Sequence, residues 1–270
     1  MANPHGTPVW YELLTTDHDQ ARAFYEDVVG WRFGDKPDGD MDYRMIGVGA
    51  DRPGDFVGGV MELTDAMRSG GAKPGWLFYV GVDDVDATAE RVGAAGGAIL
   101  MPPFDIADVG RAAFVADPQG APFYIMRGNS DESSTAFVPQ DVDGADGRCN
   151  WNELSTGDAA GAIAFYRAAF GWENRETMDL GPMGGYHFLD LGETRLGALM
   201  QAQQDGQAPH WTFYFRVPDL DAALARAQAA GAAVTMGPHD VPGGSRIFTG
   251  TDPQGAAFAL VGPGTKQGEG

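Results

Sequence analysis

The chain contains one sequence phrase twice. Residues 10–31 read WYELLTTDHDQARAFYEDVVGW, and residues 151–172 read WNELSTGDAAGAIAFYRAAFGW. Later stretches recur as well, since residues 75–100 match residues 210–235 and the tetrapeptide DPQG occurs once in each half. Self-similarity at a long spacing constrains architecture more strongly than local propensity does. The repeat therefore predicts two modules of the same fold.

The composition of the segment between the two copies predicts a linker. This segment is rich in acidic and turn-forming residues and has only a short apolar interruption. A chain of 270 residues is long enough for two domains of ordinary size. We expect an N-terminal module, a linker, a C-terminal module and a flexible tail over residues 1–128, 129–147, 148–262 and 263–270.

Each copy contains two smaller units in which a strand runs directly into a helix. In the first unit, VWYELL is typical of a strand, and Asp17 stands at the expected helix N-cap with Gln20 three residues later. Apolar residues at helical spacing follow, and Gly30 is the expected stop. Short apolar segments at hairpin spacing come next. The pattern predicts an α+β fold of four βαβββ units.

These features resemble the vicinal oxygen chelate superfamily, which includes glyoxalases, bleomycin-resistance proteins and extradiol dioxygenases. The resemblance covers residues 8–128 and 148–262 and rests on the Asp-capped helix with Phe-Tyr and Gly-Trp, and on the DPQG turns. It implies two glyoxalase-like modules whose curled mixed sheets surround cavities for a small-molecule ligand. The activities of this family are too diverse to follow from fold alone.

Charge and composition exclude several classes of partner. The chain has 18 Lys and Arg against 38 Asp and Glu, a formal charge of −20, so its average field repels nucleic acid and anionic membranes. Its single cysteine, Cys149, excludes an internal disulfide, and no apolar run approaches the roughly 20 residues that cross a bilayer. We expect a cytoplasmic bacterial protein, either a homodimer or a monomer whose modules pair about a pseudo-twofold axis.

Side-chain alternation predicts which residues of the opening strands face the cavities. Successive strand residues point to opposite faces, and the leucine after each glutamate is expected to face a helix. The cavity face then holds Trp10, Glu12, Trp151 and Glu153. The alternative is a structural role, in which each glutamate accepts hydrogen bonds from Arg111 or Arg246.

The strand at residues 210–216 predicts that the second module holds the more polar site. Its apolar face contains Trp211, which we expect in the core together with Trp76, and its polar face begins at His210. We predict an acid–base pair of Glu153 and His210. The candidate substrate-binding residues of the two modules are Trp10, Glu12, Tyr79, Tyr124, Trp151, Ser155, Thr212, Tyr214 and Arg216.

The resemblance also permits a test for metal ligands. Metal-dependent members of the family carry His, Glu or Gln at about four cavity positions. In this chain those positions correspond to Trp10, Met61, Leu77, Tyr124, Trp151, Met200, Thr212 and Ala259, none of which is a carboxylate or an imidazole. We predict no metal and no other cofactor. A shift of register would offer Glu12 with Glu62, or Glu153 with Gln201 and His210, as the alternative ligand set.

Three classes of function are compatible with these observations. The first is a metal-independent enzyme that binds a small aromatic or polyketide-like molecule and catalyses isomerisation, cyclisation or elimination. The second is a protein that sequesters a drug without turnover, for which an acidic aromatic cavity suits a cationic ligand. The third is a metal-dependent lyase or dioxygenase of the same superfamily. The DPQG segments are interpreted as hairpin turns, and His18, at a helix start, is expected at the solvated surface.

Overall fold

The computed structural model describes residues 3–38, 41–49, 55–140, 142, 144–204 and 206–263. The first module begins with β1 (Thr7–Thr15), α1 (His18–Val28), β2 (Trp31–Phe33), β3 (Tyr43–Val48) and β4 (Phe56–Glu62). A short helix, α2 (Asp65–Ser69), leads to its second half. That half consists of β5 (Gly75–Gly81), α3 (Val85–Ala94), β6 (Ala98–Ile106), β7 (Gly110–Ala116) and β8 (Pro122–Gly128).

The second module repeats this order. Its first half consists of β9 (Cys149–Thr156), α4 (Ala159–Phe170), β10 (Thr177–Asp179), β11 (Gly185–Leu191) and β12 (Thr194–Gln201). Its second half consists of β13 (His210–Arg216), α5 (Leu220–Ala229), β14 (Ala233–Asp240), β15 (Arg246–Thr251) and β16 (Ala257–Gly262). The predicted four βαβββ units are confirmed.

Each module forms one open, mixed, eight-stranded sheet. The strand orders are β2-β3-β4-β1-β5-β8-β7-β6 and β10-β11-β12-β9-β13-β16-β15-β14. Within each βαβββ unit the first strand pairs in parallel with the last, as in β1 with β4 and β9 with β12, and the hairpins between them are antiparallel. None of the helices in the described ranges is long and apolar enough to span a bilayer.

An aspartate begins each of the four longer helices. Asp17, Asp84, Asp158 and Asp219 each accept a hydrogen bond at 2.9 to 3.0 Å from the backbone N–H three residues later. This contact satisfies one of the donors that a helix start leaves unpaired, and it typically contributes about 1 kcal/mol. The predicted cap at Asp17 is confirmed.

Burial follows the predicted alternation along the strands. Leu13 and Leu154 are completely buried, as expected for residues that face the helices. Trp76 and Trp211 are also buried, which confirms their assignment to the core. The opposite face of each opening strand is therefore the face that carries the glutamate.

The chain forms two compact units, each of which takes segments from both repeats. Compact unit 1 contains Met1–Trp10, Leu77–Pro139 and Trp151–Thr212. Compact unit 2 contains Tyr11–Trp76, Gln140–Asn150 and Phe213–Gly270. Within compact unit 1, the segment between the repeats is partly buried, because Ala136 and Phe137 are shielded from solvent.

Two expectations about individual side chains are wrong. Arg111 pairs with Asp86 and Asp105, and Arg246 pairs with Asp221 and Asp240, so these arginines form ion pairs with neighbouring aspartates instead of with Glu12 and Glu153. Aspartates on the adjacent helix or strand reach each guanidinium from a short distance along the sheet surface. These arginines are therefore not the hydrogen-bond donors expected for a structural role of the two glutamates.

His18 is buried, which corrects the expectation of a solvated surface residue. The residue is 3 % exposed, its Nδ1 lies 3.2 Å from Glu62 Oε2, and its Nε2 lies 3.3 Å from the Val60 carbonyl oxygen. The first residue of a helix can point back over the preceding turn towards the sheet, and here β4 supplies both acceptors. Position at a helix start does not determine exposure.

Candidate functional site

The site in the second module is built on strand β9. Asn152, Leu154 and Thr156 are buried on the helix side of this strand. Glu153 and Ser155 lie on the other side and are half-buried. In the parallel pairing with β12, Glu153 lies opposite Ala198. Strand β9 is fourth in the order of eight strands, so Glu153 lies in the middle of the sheet.

A tyrosine from β11 connects the tryptophan and the glutamate of β9. The indole N–H of Trp151 donates to the hydroxyl oxygen of Tyr186 at 2.8 Å, and that hydroxyl donates to Glu153 Oε2 at 2.5 Å. The two rings are nearly parallel, with an interplanar angle of 7° and centroids 6.4 Å apart. We call Trp151, Glu153 and Tyr186 the Glu153 cluster.

Phe188 and Arg195 extend the wall of this cluster. Phe188 packs edge-on against Trp151 and Tyr186, at centroid distances of 6.0 and 5.6 Å. The Arg195 guanidinium carbon lies 4.1 Å from the centre of the Phe188 ring, in a cation–π arrangement. Asp190 and Glu176 each accept a hydrogen bond from this guanidinium at 3.0 Å, which holds the cation in place.

The cluster can accept and return a proton. A carboxylate is an acceptor only, whereas a tyrosine hydroxyl can accept two hydrogen bonds and donate one. Tyr186 accepts from Trp151 and donates to Glu153 in the described state. If Glu153 takes up a proton, it can donate to Tyr186, and the tyrosine O–H becomes available to a bound molecule. Sequence reasoning missed Tyr186 because β11 lies more than 30 residues from Glu153.

The remaining predicted residues of the second module fall at different places. His210, the first residue of β13, is exposed, and its Nδ1 lies 3.0 Å from the Ala208 carbonyl oxygen. Its pairing with Glu153 stays a prediction. Thr212 is half-buried and Tyr214 is buried. Arg216 forms an ion pair with Asp146 at 3.4 Å in compact unit 2.

The first module repeats the glutamate and the tyrosine with different surroundings. Glu12 is 2 % exposed and lies opposite Gly59 in the pairing of β1 with β4. Tyr43 covers Gly59 so closely that an added Cβ would overlap its ring. Tyr43 pairs with Met61 as Tyr186 pairs with Met200, so the two tyrosines occupy corresponding positions. Glu12 is thus more enclosed than Glu153.

The apolar residues predicted for the first module lie side by side. Tyr79 is buried, Tyr124 is half-buried, and their rings stack 4.4 Å apart with an interplanar angle of 10°. Trp10, in β1, is half-buried. Compact unit 1 therefore contains the predicted Trp10, Tyr79, Tyr124, Trp151, Glu153, Ser155, His210 and Thr212, and compact unit 2 contains Glu12, Tyr214 and Arg216.

Each compact unit also contains a buried chain of Trp, Tyr and Asp. In compact unit 1, Trp211 donates to Tyr166 at 3.2 Å and Tyr166 donates to Asp117 at 3.2 Å. In compact unit 2, Trp76 donates to Tyr25 and Tyr25 donates to Asp252, at 3.1 and 3.0 Å. The aspartates open the two DPQG turns.

These aspartates explain why the DPQG turns recur with the Phe-Tyr pair. The second carboxylate oxygen of Asp117 accepts the backbone N–H groups of Gln119 and Ala121, which closes the turn. Burial raises the pKa of the Asp117 carboxyl, and it raises the pKa of the Tyr166 hydroxyl well above its ordinary value. The interpretation of the DPQG segments as hairpin turns is confirmed. The hydrogen bond from a helix tyrosine to the aspartate of each turn was not predicted from the sequence.

The donor set at the expected metal positions does not fit a divalent ion. Trp151 offers an N–H that is already donated to Tyr186, and Met61 and Met200 offer only thioethers. Within the ranges that the structure describes, no group of three or more His, Cys, Asp or Glu side chains is placed to hold a metal ion.

Comparison with proteins of known sequence gives full-length relatives. CFP32 of Mycobacterium tuberculosis, which carries the provisional name of a glyoxylase, is 36% identical over 97% of this chain and 97% of its own length. The anthracycline biosynthesis protein DauV of Streptomyces sp. strain C5 is 32% identical over 95% of this chain and 93% of its own. DnrV of Streptomyces peucetius, with the same description, is 31% identical over the same shares.

Solved structures of similar fold include a metal-bound glyoxalase and a dioxygenase. A Mn(II)-bound glyoxalase from Novosphingobium aromaticivorans superimposes with a TM-score of 0.64, at 16% identity over 96% of this chain and 83% of that one. The 2,3-dioxygenase LapB from Pseudomonas sp. KL28 gives a TM-score of 0.64, at 14% identity over 97% and 93%. At these identities the likeness concerns the fold alone.

A family model matches both modules. The matched residues are 7–125 and 148–260, which include the opening strands, the Asp-capped helices and both DPQG turns. The βαβββ units, the two open sheets and the full-length relatives agree with this match. The chain belongs to the glyoxalase/bleomycin resistance protein/dioxygenase superfamily.

Proposed function

We propose that this protein is a metal-independent enzyme that binds a small aromatic or polyketide-like molecule and moves a proton on it. The observation that carries the proposal is the hydrogen-bond chain from Trp151 through Tyr186 to Glu153. A carboxylate beside a reorienting hydroxyl can remove a proton from one position and return it at another. Isomerisation, cyclisation and elimination can all begin with the removal of such a proton.

The proposed step begins with a carbon acid next to a carbonyl group. Glu153 takes the proton, and the electron pair of the broken C–H bond forms the C=C bond of an enolate. The protonated Glu153 then donates to Tyr186, whose O–H turns to the enolate oxygen while Trp151 keeps its own bond to the tyrosine. In an isomerisation the enolate is conjugated with a second C=C bond, and Glu153 returns the proton to the far carbon of that system. In an elimination the enolate expels a β-substituent, which leaves with the bonding electron pair and takes the proton from Glu153.

The proposed ligand class draws on the aromatic wall and on the relatives. Trp151 and Phe188 present ring surface beside the carboxylate, which suits a planar apolar molecule. Two relatives above 30% identity are named for anthracycline biosynthesis, which supports a polyketide-like substrate. We retain Ser155, Thr212 and His210 as proposed ligand contacts, with His210 as the second acid–base group.

Glu153→Gln is expected to slow proton transfer on a carbon acid by more than about tenfold, because the amide cannot take up the proton. Tyr186→Phe is expected to have a similar effect, because the enolate loses its donor. The measurement is the exchange of the α-protons of 2-tetralone for deuterium in D₂O, followed by NMR with and without protein. Glu193→Gln, at an exposed carboxylate paired with Arg175, is the matched control and should leave the rate within about twofold.

The same exchange assay shows which module carries the activity, and it distinguishes catalysis from sequestration without turnover. Glu12→Gln should reduce exchange much less than Glu153→Gln, since Glu12 is more deeply buried than Glu153. Equal losses would contradict the preference for the second module. If the protein binds 2-tetralone but does not accelerate exchange, the catalytic proposal fails. Sequestration of a drug without turnover then becomes the proposed function, since an acidic aromatic wall also suits the binding of a cationic drug.

The protein purified without added metal is expected to contain no stoichiometric divalent ion, because the expected ligand positions carry tryptophan, methionine and other unsuitable side chains. Elemental analysis by mass spectrometry measures this directly, with a metal-loaded protein of known stoichiometry as the control. About one equivalent of zinc, iron, nickel or manganese per chain would overturn the proposal and favour a metal-dependent lyase or dioxygenase.

A further inference from the structure

Three neighbouring strands of the first module bring three aromatic rings into one row. Tyr79 of β5 lies opposite Tyr124 of β8, and Tyr124 lies opposite Phe114 of β7. The ring centroids are 4.4 Å apart in the first pair and 4.6 Å in the second, with interplanar angles of 10° and 31°. We call these three residues the aromatic row.

The aromatic row lies on the sheet face away from helix α3. The alternate residues of the same strands, Phe78 and Phe123, are fully buried on the opposite face. Tyr124 and Phe114 remain half-exposed. Met101 of β6, which is 41 % exposed and lies opposite Phe114, continues the row towards the edge of the sheet. The row is therefore accessible to a molecule at Tyr124 and Phe114, whereas Tyr79 forms its buried end.

Stacking determines which part of each ring a molecule would meet. Rings that cover one another along the row turn their faces to each other, so their edges point out of the sheet. The edge of Phe114 carries only C–H groups, and the edges of Tyr79 and Tyr124 carry C–H groups on either side of the hydroxyl. Aromatic edges carry partial positive charge and aromatic faces carry partial negative charge, so an edge packs well under the face of another ring. A saturated ring of the same size lacks this electrostatic complement.

We infer that the aromatic row is a floor for the flat face of a fused, electron-rich aromatic ring system. Its ring edges, repeated at the spacing of adjacent strands, match a planar ligand that extends over more than one ring. The net charge of −20 favours a neutral or cationic ligand over a polyanion. This inference deepens the binding role proposed for Tyr79 and Tyr124, and it does not depend on proton transfer by Glu153.

The second module provides a built-in comparison. Its corresponding strands carry Tyr214 opposite Ala259, and Ala259 opposite Thr249. Only the first position of this series is aromatic, so no stack forms along it. The floor is thus a property of the first module, although both sheets have the same strand order.

The test compares two neutral probes of matched shape, 2-naphthol and decahydro-2-naphthol, by equilibrium dialysis against the full chain. We expect 2-naphthol to bind at least about fivefold more tightly than its saturated analogue. Phe114→Leu and Tyr124→Leu should each weaken 2-naphthol binding by about five- to tenfold, which corresponds to one or two lost ring contacts. Phe114→Tyr retains the ring and should retain the affinity.

The matched control is Thr249→Leu, which changes the position corresponding to Phe114 in the second module. It should leave the dissociation constant of 2-naphthol within about twofold. Equal binding of the two probes would overturn the inference, because ordinary apolar burial would then suffice. Loss of binding in Phe114→Tyr as large as in Phe114→Leu would also overturn it. Thermal melts of all variants verify that the folded protein is being compared.

Discussion

Replacing Gly197 by alanine is expected to destabilise the protein by more than about 4 kcal/mol. If this loss exceeds the total stability, no folded protein is recovered. Gly197 lies opposite Asn152 where β12 pairs in parallel with β9, and its φ of 154° belongs to glycine. An added Cβ would overlap the Asn152 carbonyl oxygen. The same strand pair positions Glu153, so the site is lost with the sheet.

Urea unfolding followed by circular dichroism measures this effect. Gly58→Ala is expected to act similarly in the first module, because its Cβ would overlap the Tyr11 carbonyl oxygen. The control is Gly93→Ala in helix α3, where the added Cβ meets nothing within 4 Å. Alanine is favoured over glycine inside a helix by up to about 1 kcal/mol, so this variant should be at least as stable as the parent. A Gly197→Ala protein of unchanged stability would contradict the close approach of β9 and β12.

Tyr166→Phe is expected to lower the free energy of unfolding by about 2 to 4 kcal/mol. The change removes one hydroxyl and leaves two buried polar groups without their partner, the indole N–H of Trp211 and a carboxylate oxygen of Asp117. Each such group costs about 1 to 3 kcal/mol. Tyr25→Phe should act in the same way on Trp76 and Asp252 in compact unit 2.

The control is a double-mutant cycle of Tyr166→Phe with Asp117→Asn. The two changes should be non-additive by more than about 0.5 kcal/mol, because they remove the two ends of one hydrogen bond. Additive losses would show that the two groups do not interact. The Asp117 carboxylate also closes its turn through Ala121, so the single Asp117→Asn change should be destabilising on its own.

The pH dependence of the same variants follows from the raised tyrosine pKa. Burial first, and the charge of Asp117 second, raise the pKa of Tyr166 well above the ordinary value of 10.0. A raised pKa means that Tyr166 stays protonated to higher pH in the folded state than in the unfolded state. The contribution of Tyr166 to the free energy of unfolding is therefore complete below about pH 10 and is lost as the pH rises further. The difference in the free energy of unfolding between Tyr166→Phe and the parent protein should therefore become smaller above pH 10. A deficit that stays constant to pH 11 would contradict this account.

The pattern of elements and faces follows from local sequence. The aspartates before each longer helix, the period-2 alternation of the strands and the long repeat predict four βαβββ units, and all four are present. These signals act within one turn of helix or between adjacent strand residues, so a single chain segment contains them in full. The burial of Leu13, Leu154 and Trp211 follows from the same alternation.

The partners of the polar side chains depend on elements that are distant in sequence. Tyr186 reaches Glu153 because β12 lies between β9 and β11, and Tyr166 reaches Asp117 because compact unit 1 joins halves of both repeats. Arg111 could not be assigned to Asp86 without the packing of α3 on its sheet. The sequence alone determined the elements and their inward faces, since those depend on local periodicity. The tertiary structure alone decided which buried donor meets which acceptor, because that depends on strand order.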